Sequence, residues 1–301
     1  MTPQLSLYGL FPPIPTPFDV EGAIDFQALE ENFSVWNQEP LSGYVAGGSN
    51  GEFVHLTDSE KTDVVRFARQ HAADDRLVIA GTGELSTQKT IEMTVAAAEA
   101  GAQAALVVTP YYYKAMMSTA ALVNHYQVIA ERVPIPIILY SVPANTGLDM
   151  PQDAVVELSH HPNIIGIKDS GGSVAKLGTM VAHSAPGFQV LAGSAGFFLG
   201  ALAVGAVGSV AALANIAASR MHALQEAYYQ GDLNRAGDIQ RGIIEINEAI
   251  TRRYNVPGLK AAMDMIGLRG GAVRPPLLAL DTDARDELRQ ILSQCGLLPE
   301  L

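Results

Sequence analysis

Residues 163–172 read NIIGIKDSGG. Ile164, Ile165, Gly166 and Ile167 form a short apolar run of strand type, Lys168 closes it, and Asp169, Ser170 and two glycines follow. A primary amine at the mouth of a buried strand first raises a question of fold. Seven other apolar runs surround this one in the chain: LYGLFPPI, GYVAGG, RLVIAGTG, AALVVTP, PIILYSVP, FQVLAG and AVGSVAA. Helical patterns follow the runs at roughly Asp25–Gln38, Thr57–Ala73, Ser86–Ala100, Thr119–Arg132, Pro151–His160, Val174–Ser184, Gly196–Val204 and Ile216–Tyr229. Alternating strands and helices imply a parallel sheet. Eight such units within residues 1–229 predict an α/β fold, a (β/α)8 TIM barrel, rather than an open doubly wound sheet. The dinucleotide-binding fingerprint is absent, because GTGELS lacks the third glycine of GxGxxG. Helical patterns near Leu233–Ile250, Gly258–Ile266 and Asp281–Ser293 predict a C-terminal helical extension, residues 230–301, packed on the barrel as an appendix and not as a second catalytic domain.

Composition narrows the function class. The chain has 301 residues, 48% of them hydrophobic and 17% charged, enough to bury a large core. A net charge of −12 with no Lys/Arg cluster argues against a nucleic-acid partner. The single cysteine, Cys295, allows no intramolecular disulfide and no thiolate metal cluster, which fits a reducing, cytoplasmic setting. The start, MTPQLSLYGL, lacks the pattern of a secretory signal. The most apolar stretch, Phe197–Ala218, is interrupted by Gly200, Gly205, Gly208 and Ser209 and reads as helix, turn and strand, so no membrane span is expected.

In such barrels chemistry gathers at the carboxyl ends of the strands. There the sequence places GGSNGEF, TPYYYK, YSVPANTG, KDSGG and AGSAG. A strand-end lysine can simply extend its ammonium to solvent. Alternatively, apolar walls that desolvate an amine favour its neutral, nucleophilic form, which attacks a carbonyl to give a Schiff base. Position alone does not choose between these for Lys168. Tyr140 ends the neighbouring strand; its phenol is either a core residue or a proton relay beside an imine. Gly47, Gly48 and Gly51 allow a sharp turn whose N–H groups, with Ser49 and Asn50, suit a carboxylate, although a glycine-rich turn is also often only a turn. Glu52 reads as a structural carboxylate bonded to local N–H groups. Tyr111, Tyr112 and Tyr113 on one loop suggest an interface. The seven histidines show neither HxH nor HExxH spacing, so no metal is expected.

GGSNGE, TPYYY, YSVPANTG and GIKDS, in that order and on strand ends, resemble the dihydrodipicolinate synthase/N-acetylneuraminate lyase family of class I pyruvate aldolases. The resemblance runs from about Pro13 to the C-terminal helices. GSNGEF, YSVPANTGLD, HPNI.G.KDSGG and TRR...PGLK look most like 4-hydroxy-2-oxoglutarate aldolase within it.

The resemblance implies a role for each matching residue. Lys168 matches the imine-forming lysine and Tyr140 the proton-relaying tyrosine. Ser49 stands where the family has Ser or Thr linking two tyrosines and, with Gly48 and Asn50, helps to hold the pyruvyl carboxylate. Tyr112 matches the tyrosine that reaches into a neighbouring subunit's site, which implies a homotetramer built from dimers. Ser170 is placed for a distal carboxylate, and Gly193 and Ser194 line the strand-seven wall. Asn50 replaces the second threonine common in the synthases, and one further departure matters more. Asn145 replaces the arginine of YNVPSRTG, which grips the carboxylate region of the aldehyde substrate. The expected reaction is therefore cleavage of a small-molecule 2-oxo acid, 4-hydroxy-2-oxoglutarate, to pyruvate and glyoxylate, without cofactor. A 2-keto-3-deoxy sugar acid is the alternative. A dihydrodipicolinate synthase, or a phosphosugar isomerase using the glycine-rich strand-seven and strand-eight loops, ranks lower.

Overall fold

A computed structural model describes residues 5–299. Eight strands, β1 (Gly9–Leu10), β2 (Gly43–Ala46), β3 (Leu77–Gly81), β4 (Ala104–Val108), β5 (Ile137–Ser141), β6 (Ile164–Asp169), β7 (Gln189–Ala192) and β8 (Gly208–Ser209), form one parallel sheet in the order β1-β8-β7-β6-β5-β4-β3-β2. The predicted (β/α)8 barrel is present, with helices α1 (Phe26–Trp36), α2 (Asp58–His71), α3 (Thr87–Glu99), α4 (Thr119–Ala130), α5 (Gln152–Leu158), α6 (Val174–His183), α7 (Phe198–Ala203) and α8 (Ala214–Tyr229) between and after the strands. The seam between β1 and β2 is irregular for a simple reason. Pro12 and Pro13 have no N–H to donate, so closure there relies on Ser42 N to Leu10 O (2.8 Å), Val45 N to Pro12 O (2.9 Å) and Ile14 N to Val45 O (3.0 Å).

Side chains divide by strand alternation into two cores. Leu7, Phe11, Val45, Ile79, Leu106, Ile138, Leu191 and Val210 fill the barrel interior, while Leu29, Phe33, Trp36, Tyr126, Leu158 and Leu224 pack sheet against helices. Strand β6 breaks the alternation. Ile137 pairs with Ile164 but Ile138 pairs with Gly166, so Ile165 is an extra residue, a β-bulge. Ile165 faces the interior, whereas Ile167, two residues on, faces the helices. Without the bulge, Lys168 would point away from the barrel axis. With it, Lys168 pairs with Tyr140 and faces the same side.

Helix starts follow legible caps: Thr57 and Glu60 form a complete capping box on α2, and Ser86, Ser118 and Ser173 cap α3, α4 and α6. The C-terminal part is built from α9 (Leu233–Glu248), α10 (Asn255–Met265) and α11 (Thr282–Gln294). Two details differ from the sequence patterns. Helix α9 runs into a wide π-turn at Ala249–Arg253, and α10 begins at Asn255 instead of Gly258. Pro257 is accommodated in the first turn, where a missing N–H leaves no helix bond unmade. The Phe197–Ala218 stretch is helix, turn, strand and helix start, and among the described residues no helix is long and apolar enough to cross a membrane.

Candidate active site

The carboxyl ends of the strands surround a cavity of about 330 Å³. Ser49, Asn50, Tyr140, Asn145, Lys168, Ser170, Gly193 and Ser194 all line it, although they come from the ends of four separate strands and the loops after them. The Lys168 Nζ lies 4.1 Å from the centre of the Tyr140 ring, and both residues are only 5% exposed. The Tyr140 hydroxyl stands 3.4 Å from Ser49 Oγ. An amine, a phenol and a hydroxyl therefore meet at the floor of one cavity, which is the set that carbonyl condensation and proton transfer require.

The glycine-rich turn behind β2 is held from several sides. Gly47 has φ +67°, a conformation that favours glycine, and Ser49–Gly51 form a single 3₁₀ turn. Gly51 and Glu52 donate inside this turn, to Gly48 O (3.0 Å) and Ser49 O (3.1 Å). The amides ahead of them, at Ser49 and Asn50, belong to residues that line the cavity. Gly48 itself sits one layer deeper, in a small void behind the Tyr140 ring. Thr16 Oγ1 clamps the turn by donating to Gly51 O at 2.8 Å.

Glu52 is not bonded only to neighbouring N–H groups. Its Oε1 pairs with Lys260 Nζ from α10 at 2.6 Å, and its Oε2 accepts from Arg274 N at 3.0 Å and lies 3.2 Å from His55 Nδ1. Burial pulls Lys260 below the usual lysine range, opposed by the Glu52 charge.

The opposite wall is equally ordered. Ser170 Oγ donates to Gly193 O at 3.4 Å, and a Cβ on Gly193 would lie 2.0 Å from Ser170 Oγ, so only glycine fits there. Ser194 lines the cavity, but its hydroxyl is engaged by Asn247, at 3.1 Å from Nδ2. Asp169, next to Lys168, is fully buried and turned away: Oδ2 pairs with Lys176 Nζ at 2.7 Å, and Oδ1 accepts from Gly171 N at 2.8 Å. Lys176 is shared with Asp149 at 2.5 Å. Asn145 stands on the one-turn helix Pro143–Thr146, exposed at the cavity rim.

Tyr112 does not enter this cavity within its own chain. It is 71% exposed, stacked edge-on with Tyr113 at 5.0 Å, in a shallow hollow with Leu85, Pro110 and Met117. Ile244, Glu248, Thr251, Arg252 and Asn255 of the C-terminal extension also line the cavity. Sequence reasoning missed these residues; the only local signal was the TRRYN stretch, where helical periodicity lapses between two patterns. His160 and His161 lie at the amino ends of the strands, with Pro136, Asn163 and Phe188, on the far face of the barrel. Among the described residues no group of three or more His, Cys, Asp or Glu is arranged to hold a metal ion.

A parallel barrel with a buried lysine and a tyrosine side by side at its carboxyl face brings an amine and a phenol to the end where such barrels carry their chemistry. The chain belongs to the dihydrodipicolinate synthetase family, whose model matches residues 6–295 and whose members are pyruvate-dependent class I lyases. It is 34% identical over 291 residues to a 4-hydroxy-tetrahydrodipicolinate synthase of Methanococcoides burtonii, covering 96% of this chain and 99% of the relative. It is 36% identical over 295 residues to an uncharacterized DapA-like lyase of Halobacterium salinarum, covering 98% and 96%. The chloride-inhibited dihydrodipicolinate synthase of Acinetobacter baumannii, solved with pyruvate, superposes with a TM-score of 0.92 at 33% identity, over 97% of this chain and 100% of that one. None of these three is named as a 4-hydroxy-2-oxoglutarate aldolase, so the comparisons carry the family and not that finer likeness.

Proposed function

We propose that this protein cleaves 4-hydroxy-2-oxoglutarate to pyruvate and glyoxylate through a Schiff base on Lys168. The observation that carries the reading is the pairing of Lys168 and Tyr140 as register partners on β6 and β5, with Nζ 4.1 Å from the ring centre. The neutral Asn145 at the rim supports cleavage over synthase chemistry.

Lys168 adds to the C2 ketone and water leaves, giving a protonated imine. Tyr140 takes the proton of the C4 hydroxyl, the C3–C4 bond breaks, and its electron pair moves into the imine to form an enamine while glyoxylate departs. Protonation at C3 and hydrolysis release pyruvate and restore the amine. The turn at Ser49–Asn50 holds the pyruvyl carboxylate, which keeps the ketone within reach of Nζ and converts an encounter into an intramolecular step. Tyr112 acts from a neighbouring subunit, so the working form is an oligomer, a tetramer built from dimers.

The names of the relatives favour a second reading, condensation of pyruvate with aspartate semialdehyde. A fixed guanidinium grips a carboxylate with two charge-assisted bonds, whereas the Asn145 amide offers only neutral ones. A third, cleavage of a 2-keto-3-deoxy sugar acid, differs only in the aldehyde half. Comparison of kcat/KM for 4-hydroxy-2-oxoglutarate, for a 2-keto-3-deoxy hexonate and for the semialdehyde condensation tests the reading. The diacid should be preferred. A preference of about a hundredfold for either competitor, ~2.7 kcal/mol of transition-state binding, overturns it.

A further inference from the structure

A 4-hydroxy-2-oxo diacid brings two carboxylates into the cavity, and the barrel itself is equipped for one. The Ser49–Asn50 turn serves the pyruvyl end. At the aldehyde end the barrel contributes Asn145 and Ser170, both neutral, and Ser194, whose hydroxyl is already held by Asn247. Among the described residues lining the cavity the cations are Lys168 and Arg252, with Glu248 the single anion. Lys168 is consumed in the imine. Arg252 remains.

Its placement is constructed. Helix α9 gives way to the π-turn at Ala249–Arg253, closed by Tyr254 N to Ala249 O at 2.9 Å. Immediately beyond it Asn255 adopts φ +50°, and its side-chain Oδ1 accepts from Val256 N at 2.8 Å. Irregular helix turns of this kind recur at functional sites, and a non-glycine residue in left-handed backbone persists only where its surroundings impose it. Glu52 and Asn255 are the two such residues among those described; Asn255 lines the cavity, and Glu52 follows the turn that does. The π-turn is pinned to the cavity wall, since Thr251 Oγ1 donates to Asn247 O at 2.6 Å and Asn247 engages Ser194. The Arg252 side chain is 76% exposed, and Glu248 Oε2 stands 3.8 Å from its Nε, outside hydrogen-bond range. The fork is thus anchored at its base, and its head is not committed to Glu248.

We propose that Arg252 is a specificity-determining residue that grips the distal carboxylate of a dicarboxylic 2-oxo acid, supplying from the C-terminal extension the cation that position 145 lacks. Glu248 steers the guanidinium over the mouth and yields it to the incoming carboxylate. This inference rests on the reading of the cavity as a 2-oxo acid site, and deepens it by naming the diacid.

The test uses the full-length enzyme and probes that are not cleaved. 2-Oxoglutarate and 2-oxobutyrate compete with pyruvate for trapping by borohydride; they differ in the distal carboxylate. Arg252→Gln should weaken competition by 2-oxoglutarate roughly 10- to 100-fold, the span of a lost charge-assisted contact, and leave 2-oxobutyrate within twofold. Arg252→Lys should fall between. In turnover, the loss with 4-hydroxy-2-oxoglutarate should appear in KM more than in kcat. Equal weakening of both competitors, or of pyruvate trapping itself, would show a structural role and overturn the proposal. So would unchanged competition by 2-oxoglutarate. Failure of the unsubstituted enzyme to cleave 4-hydroxy-2-oxoglutarate defeats the proposed reaction instead, and the competition ratio still decides on Arg252.

Discussion

Lys260 Nζ and Glu52 Oε1 form an ion pair of 2.6 Å whose side chains are 2% and 1% exposed. It joins the first turn of the site to the helix that follows the last. Glu52 sits at φ +55°, directly after the Ser49–Gly51 turn, and Lys260 is further fixed by Ala272 O at 2.6 Å and by the Phe18 ring at 4.4 Å. Removing one partner of a buried pair strands the other charge, at a cost of about 3–5 kcal/mol. Lys260→Met should therefore lower the unfolding midpoint sharply and weaken pyruvate trapping, because the Ser49–Gly51 turn at the cavity loses its rear support. Glu52→Gln with Lys260→Met should recover part of the stability. Chemical denaturation of the two variants checks this; a loss below about 1 kcal/mol in Lys260→Met would contradict the role given to the pair.

Sequence patterning displayed the strand order well, because each apolar run is bounded by turn residues and followed by a helical period. It also placed Lys168 at a strand end. It could not show which way Lys168 points, since Ile164, Ile165 and Ile167 are apolar on both faces of β6 and conceal the bulge at Ile165. Glu52 invited a local reading because nothing near it in the chain reveals a lysine on α10. Arg252 was hidden for a related reason: a π-turn leaves no regular period to recognise.

A buried histidine makes the fold sensitive to mild acid. Burial pulls the His125 imidazole from 6.5 to about 4, while Thr87 Oγ1 lies 2.9 Å from Nδ1. A base whose folded pKa is depressed is bound to fewer protons when folded, so stability is full above about 6.5 and falls as pH drops towards 4. Between pH 7 and pH 5 the loss should be roughly 2 kcal/mol, and His125→Gln should flatten it. Unfolding midpoints that are equally pH-dependent in both proteins would contradict this. Glu60, held at about 2 by its hydrogen bond to Arg274, acts only below that window.

The exposed Tyr112 predicts assembly. Tyr112, Tyr113 and Met116 are each at least 70% exposed on one loop, an apolar patch suited to burial between copies. Sedimentation should find the active species to be an oligomer, and Tyr112→Ala should lower kcat without removing the Lys168 adduct. A fully active monomer would refute the assignment of Tyr112 to a neighbour's site.

The central claim is that Lys168 is the nucleophile, and one measurement reaches it directly. The protein incubated with pyruvate and borohydride should gain a single reduced adduct, mapped by peptide mass to Lys168. Lys168→Ala should lose adduct and turnover together, whereas Tyr140→Phe should keep the adduct and lose about 10²–10⁴ in kcat. Lys260 is the informative control: burial pulls it below the usual lysine range, yet it is enclosed by Glu52, Ala272 and Phe18. An adduct on Lys260, Lys176 or Lys114, or undiminished turnover in Lys168→Ala, would contradict the account.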